Sequence, residues 1–247
     1  MTVREHLLFS AKLRMGKEFT HEQRLEKVED VIIEMGLSAC ANTMIGTPNG
    51  LKGLSGGEKK RNHFEVLTSP SIIFCDEPTS GLDSFMSLQV VNAMKCLAKL
   101  GMTVITTIHQ PPSQVFTLFD DLCLMACGRM VYQGPADKAL NHWRECGFSC
   151  PHFYNPADYI ISTLAVAEGK RAECISRIAK IGGEFEKSEY GRMLNANATL
   201  ASTILTINGI LFNAVRDVNF MFQFPCVPVL FDSLLTFFVR AIKEVPK

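Results

Sequence analysis

An apolar run that stops at two adjacent carboxylates sets the strongest limit on what this chain can fold into. Ser71 to Cys75 follows Pro70 and ends at Asp76-Glu77-Pro78. A short apolar run bounded in this way reads as a buried parallel strand. Asp83 or Ser84 then caps a helix with Val90, Val91, Met94 and Leu97 on one side. Met102 to Ile108 is rich in β-branched residues and reads as the next strand. Leu122 to Ala126 and Met130 to Tyr132 flank a Cys127-Gly128 turn and read as a hairpin, followed by a helix over Ala136 to Cys146. This alternation predicts an α/β fold with a mostly parallel sheet, its chemistry gathered at the strands' C-terminal ends.

The flanking regions differ. Residues 1–53 read as a helical subdomain. Thr20 and Gln23 stand in capping-box register, Leu25, Val28, Ile32 and Met35 follow at helical spacing, and Gly36 ends the run. Thr47 to Gly53 reads as a loop. The α/β core spans 54–166, and the polar residues 167–198 read as a linker with some helical content. Residues 199–247 are apolar and phenylalanine-rich, and the 47% hydrophobic fraction of the chain is high for a soluble protein. Asn208, Asn213, Arg216, Asp217, Pro225, Pro228 and Asp232 interrupt this stretch. One membrane helix, as part of a partial transmembrane domain, is the expectation here.

Charge and cysteines exclude other classes. Lysine plus arginine equal aspartate plus glutamate, at 25 each, so no global basic field attracts nucleic acid. Nine cysteines are scattered without CxxC spacing, and no histidine pair stands at zinc-ligand spacing. Reduced cysteines in a cytosolic domain are expected. The N-terminal MTVREHLLFSAKLRM is charged and amphipathic and lacks the apolar core of a signal peptide.

Three segments carry chemistry. Ser55 and Glu58 of Leu54-Ser55-Gly56-Gly57-Glu58 are in capping-box register, so a helix should start there. Gly56 and Gly57 let a phosphate approach the backbone N–H groups of its first turn, where the helix dipole favours an anion. Asp76 and Glu77 sit where a strand delivers acids to the sheet edge. Asp76 suits Mg2+ held through water, and Glu77 suits a general base acting on water. His109 ends the next strand, where an imidazole could donate to developing phosphate charge.

LSGGE, then IIFCDEPTSGLD, then TTIHQ resembles the signature, Walker B, D-loop and switch-histidine series of ABC ATPases. DEPTSGLDS with IHQPPS is similar to the G subfamily, the White, Brown and Scarlet half-transporters. Asn155-Pro156-Ala157-Asp158 resembles that group's NPAD element, and Ile207 to Phe238 its second transmembrane helix. The resemblance implies the C-terminal portion of a P-loop NTPase, with ATP and Mg2+ as cofactors. Catalytic roles fall on Glu77 and His109, and Mg2+ falls to Asp76. Ser55, Gly56, Gly57 and Glu58 would meet a partner's ATP, and Asp83 of the D-loop joins them in nucleotide binding. It also implies a second half-transporter as partner, in a homo- or heterodimer. The location is a membrane, with the nucleotide domain cytoplasmic and no nucleic acid bound.

Three departures from that family shape the expectations. No GxxxxGK[ST] occurs in the sequence, so the chain is expected to be a fragment, inactive alone. The segment from Arg61 to Leu67 is about two residues shorter than the family's, a rotation of about 200° for a continuous helix. The helix must re-register, or its end must absorb the change. The first transmembrane helix is missing between the linker and residue 199. The leading expectation is a piece of a G-type half-transporter, coupling ATP hydrolysis to movement of a small hydrophobic or pigment-like molecule. The alternative is a non-catalytic subunit that pairs with a complete half-transporter and regulates it. A soluble ABC ATPase of the DNA-repair or translation type is disfavoured by NPAD and the apolar C-terminus.

Overall fold

The computed structural model describes residues 1–46, 53–64 and 66–196, and the backbone of 237–240. The chain forms two compact units, Met1–Asp121 with Phe237–Lys247, and Leu122–Thr236.

The first unit begins with two capped helices. Helix α1 (Val3–Arg14) starts from a Thr2–Glu5 capping box and buries Val3, Leu7 and Ala11, one turn apart. Helix α2 (His21–Glu34) starts from the Thr20–Gln23 box that the spacing predicts, and Gly36 ends it at φ +62°. Arg4 of α1 pairs with Glu29 of α2. The Thr47–Gly53 loop lies outside the described residues except for Gly53.

Helix α3 (Gly56–Asn62) is short. It stops after seven residues, with His63 as its cap. The chain then turns through Phe64, whose N–H reaches the Arg61 carbonyl, and through Ser69, at φ +48° before Pro70. No continuous helix among the described residues joins the Ser55–Glu58 turn to the strand that follows.

That strand, β1 (Ile72–Asp76), runs parallel to β2 (Thr103–Ile108), pairing Ile72 with Thr103 through Asp76 with Thr107. Between them, α4 (Ser84–Lys99) buries Val90, Val91, Met94 and Leu97, and Asp83 is its cap. A short α5 (Ser113–Phe116) follows β2. One expectation needs correcting: β1 is not buried on both faces. Ile73 is buried, but Ile72 is 51% and Phe74 59% exposed, because the apolar core of this unit reaches only one side of the strand.

In the second unit, β3 (Asp121–Ala126) and β4 (Arg129–Pro135) form the expected hairpin. Cys127 at φ +50° and Gly128 at φ +69° are both left-handed, as a two-residue turn matching strand twist requires. Helix α6 (Ala136–Glu145) follows directly. Helix α7 (Pro156–Leu164) explains the NPAD spelling: Asn155 caps it by accepting from Ala157 N–H, Pro156 occupies the first turn, and Asp158 accepts from the Asn155 amide. The stretch read as a polar linker holds α8 (Arg171–Lys187), which buries Cys174, Ile178, Ile181 and Phe185. These four fall on one stripe, and charged residues between them hid the stripe from a compositional reading. Arg177 donates to the Thr163 and Ala165 carbonyls at 2.7 and 3.0 Å, satisfying the end of α7.

No described helix is long and apolar enough to cross a membrane. Most of the apolar C-terminal region, including the expected membrane helix, lies outside the described residues. Its end departs from the helical expectation. Phe237–Arg240 forms β5, antiparallel to β2, with Phe237 opposite Ile108 and Arg240 opposite Ile105. Two aromatics and a valine in four residues favour an extended backbone, and the open edge of β2 supplies its hydrogen bonds.

Candidate functional site

The C-terminal ends of β1 and β2 carry the acidic residues, and one side chain fixes both. Thr107 stands opposite Asp76 in the parallel register. Its hydroxyl donates to Asp76 Oδ1 at 2.5 Å and accepts from the Glu77 N–H at 2.9 Å. The Thr107 carbonyl also accepts from that N–H, at 3.1 Å. Asp76 is therefore held in the strand line while Glu77 turns away from it, at φ +43°. A left-handed residue that is neither glycine nor asparagine is uncommon and strained, and here the Thr107 bonds hold it in place. Asp76 is exposed and Glu77 half-buried, so both carboxylates face accessible space.

His109 follows Thr107 by two residues and stands exposed at the same edge. Among the described residues it makes no hydrogen bond to either carboxylate. Gln110 beside it is also left-handed, at φ +46°, and precedes Pro111. Cys75, the remaining reactive side chain on β1, is pushed up to about 11 by burial and stays a protonated thiol.

Helix α3 brings the glycine-rich turn against the loop after β1. Ser55 N–H donates to Glu58 Oε2 at 2.8 Å, and Ser55 Oγ accepts from Glu58 N–H at 3.3 Å. The Ser55 hydroxyl also donates to Glu58, at 2.7 Å. These bonds hold the Glu58 carboxyl below its ordinary value, so it stays ionised in the box. Gly56 is needed for packing: a Cβ there would lie 2.8 Å from Leu82 Cδ2. Gly57 lies against Met86 of α4. Lys60 reaches the Glu77 carbonyl at 3.5 Å, and Arg61 donates to Gln89 at 3.1 Å. Asp83 Oδ1 accepts the Met86 N–H at 2.7 Å as the cap of α4.

The structure thus gathers Asp76, Glu77 and His109 at one sheet edge, with the Ser55–Glu58 turn packed on the Leu82–Met86 segment. Thr107 is the residue that sequence reasoning missed. The visible signal was a threonine pair in β2 just before His109, but its role depends on a cross-strand register that no local pattern states. Lys60 was missed for the same reason.

Similarities to known proteins follow this layout. A family model described as "ABC-2 type transporter" matches residues 109–177. The chain is 42% identical to the ABC transporter ATP-binding protein/permease wht-1 of Caenorhabditis elegans, over 95% of this chain and 47% of that protein. It is 48% identical to Protein white of Drosophila melanogaster, over 78% of this chain and 28% of that protein. To the broad substrate specificity ATP-binding cassette transporter ABCG2 of Bos taurus it is 41% identical, over 76% and 28%. The chain therefore spans about half the length of the first of these relatives and under a third of the other two. The alignment with wht-1 runs over 314 positions, more than the 247 residues here, so that relative carries positions with no counterpart in this chain.

Proposed function

Because the chain belongs to the White and G-subfamily group of ABC transporters, we propose that it is part of the ATP-driven engine of a half-transporter. The clamp of Thr107 on Asp76 and Glu77 carries this reading. It aims one carboxylate along the strand and turns the next away, which suits two different tasks.

The residues fit Mg2+-ATP on the chemistry of their donors. Asp76 is an exposed oxygen donor with its Oδ2 free of the Thr107 bond, suited to hold Mg2+ through water. Glu77 polarises the attacking water as general base, and His109 donates a hydrogen bond to phosphate oxygen charge. Ser55 and the Gly56 and Gly57 amides, with Glu58 holding the turn in shape, receive the phosphates of a nucleotide on a second half-transporter. Asp83 stiffens the loop that faces it. Bound Mg2+-ATP supplies the phosphoanhydride whose cleavage drives the transport cycle. No GxxxxGK[ST] occurs in the 247 residues, so these groups serve phosphates that another segment cradles.

On this reading the assembled protein is a dimer of half-transporters in a membrane, its nucleotide domains cytoplasmic, moving a small hydrophobic or pigment-like molecule. The apolar residues 199–236 belong to its membrane domain. A further transmembrane segment between the charged stretch and residue 199 completes this reading.

The test is Mg2+-ATP turnover of this chain co-assembled with a complete half-transporter. We expect turnover to fall with Ser55→Arg, which blocks the turn without touching the carboxylates. Unchanged turnover in that variant overturns the role of the turn. In a second reading the chain pairs with a complete half-transporter and lowers its activity. A partner that turns over more slowly with the chain than without it, irrespective of Glu77→Gln, supports that reading over the first.

A further inference from the structure

Helix α1 and the end of α3 border a cavity of mixed polar and apolar lining that the acidic edge does not use. Its volume is about 160 Å3, and His6, Ser10, Arg14, Asn62 and His63 are among its lining residues. His6 lies on α1 and His63 caps α3, far apart in sequence, yet their rings are 6.0 Å apart between centroids and inclined at 50°. The early stop of α3 leaves His63 at the helix end, on the cavity wall.

Each imidazole has its Nδ1 engaged by the protein. His63 Nδ1 lies 2.5 Å from the Lys59 carbonyl, which only accepts, so that nitrogen carries the proton and Nε2 carries a lone pair. His6 Nδ1 lies 3.2 Å from the Asn62 side-chain amide. Asn62 is 2% exposed, and its Oδ1 has no hydrogen-bond partner. Exchanging the amide oxygen and nitrogen leaves the heavy-atom positions unchanged. Oδ1 then accepts His6 Nδ1–H and frees the His6 Nε2 lone pair. In either orientation one end of the buried amide has no hydrogen-bond partner among the described residues. Imidazoles whose second nitrogen is fixed by a carbonyl or amide are what metal sites use to aim their ligands.

We propose that His6 and His63 bind a divalent transition-metal ion of the Ni2+, Zn2+ or Cu2+ class through their Nε2 atoms, with water completing the coordination. Imidazole nitrogen suits these ions and not Mg2+ or Ca2+, which take oxygen ligands. Among the described residues no group of three His, Cys, Asp or Glu is placed to hold a metal. This site is therefore a two-imidazole one, open to solvent and exchangeable. Arg14 in the lining repels cations, so the ion is held by its imidazole bonds against that charge. Occupancy ties α1 to α3, the helix that carries the Ser55–Gly57 turn.

The experiment titrates the full chain with NiCl2 and compares it with His6→Gln and His63→Gln by calorimetry and thermal unfolding. We expect the unmutated chain to bind one more Ni2+ than either variant, and Ni2+ to raise Tm only in the unmutated chain. Ni2+ taken by cysteines is common to all three proteins and cancels. Asn62→Ala should weaken the site by about 10- to 100-fold. Equal Ni2+ stoichiometry in all three proteins overturns the proposal. Should the variants fail to fold, Co2+ absorption of the unmutated chain decides. Nitrogen- and oxygen-ligated bands without thiolate charge transfer support the site, and a thiolate band alone overturns it.

Discussion

The acidic edge of the first unit and the aromatic core of the second are built on opposite terms. At the edge, Asp76 and His109 are exposed, Glu77 and Gln110 are left-handed, and one threonine hydroxyl holds the arrangement. In the second unit, Trp143 is fully buried against Tyr132, which in turn meets Phe185, and its indole N–H donates to Thr163 at 2.6 Å. His142 packs among the same rings. The edge keeps polar groups accessible and accepts backbone strain, whereas the aromatic cluster satisfies its groups internally. Residues that act on a ligand need the first condition, and residues that hold a fold need the second.

Four substitutions press on this contrast. Glu77→Gln should lower Mg2+-ATP turnover of the assembled transporter by about 10²- to 10⁴-fold, the usual worth of a general base, while Tm stays unchanged. A large drop in Tm would put Glu77 on the structural side of the division. Trp143→Ala should do the reverse. It should cost about 3–5 kcal/mol, read as a lower urea midpoint for the second unit.

Thr107→Val tests whether the edge is strained in the way its geometry implies. Removing the hydroxyl leaves the Glu77 N–H with the carbonyl alone and Asp76 without its donor. A loss of about 1–3 kcal/mol is expected, with turnover reduced as well and both recovered in Thr107→Ser. Stability that falls equally in the serine variant would point to packing instead of the hydroxyl.

The smallest effect concerns pH. Burial holds His142 below its ordinary value of 6.5, outweighing its hydrogen bond to the Ile181 carbonyl and the nearby Glu145 and Glu184. The unfolded chain therefore takes up the proton first as pH falls. Stability of the second unit should be level above about pH 6.5 and decline below it. His142→Gln should remove most of that slope in a series of melting curves. A slope that persists in the variant assigns the pH dependence to other groups.

What could be read beforehand followed the range of the interactions. Capping boxes at Thr20 and Ser55, the Asp83 cap and the Cys127-Gly128 turn each lie within a few residues, so spacing alone revealed them. The ends of β1 and β2 were legible as places where acids and an imidazole emerge. The Thr107 clamp, the Lys60 contact and the meeting of His6 with His63 depend on which strand pairs with which and where α3 stops. No local pattern contains those distances. Ile72 and Phe74 misled in another way, because an apolar run records what a strand could bury and not how many of its faces are covered. Phe237–Arg240 was ambiguous because aromatic and β-branched residues suit a strand as well as a membrane helix.

Ser69, Glu77 and Gln110 share a further property: each is left-handed and each immediately precedes a proline. Proline has no amide hydrogen to continue a ladder, and it pushes the residue before it away from helical geometry. Both ends of β1 and the exit of β2 are thus closed to propagation. Length changes outside these stops do not travel into the strands. The pairing of Asp76 with Thr107 is thereby insulated from length changes upstream of Pro70.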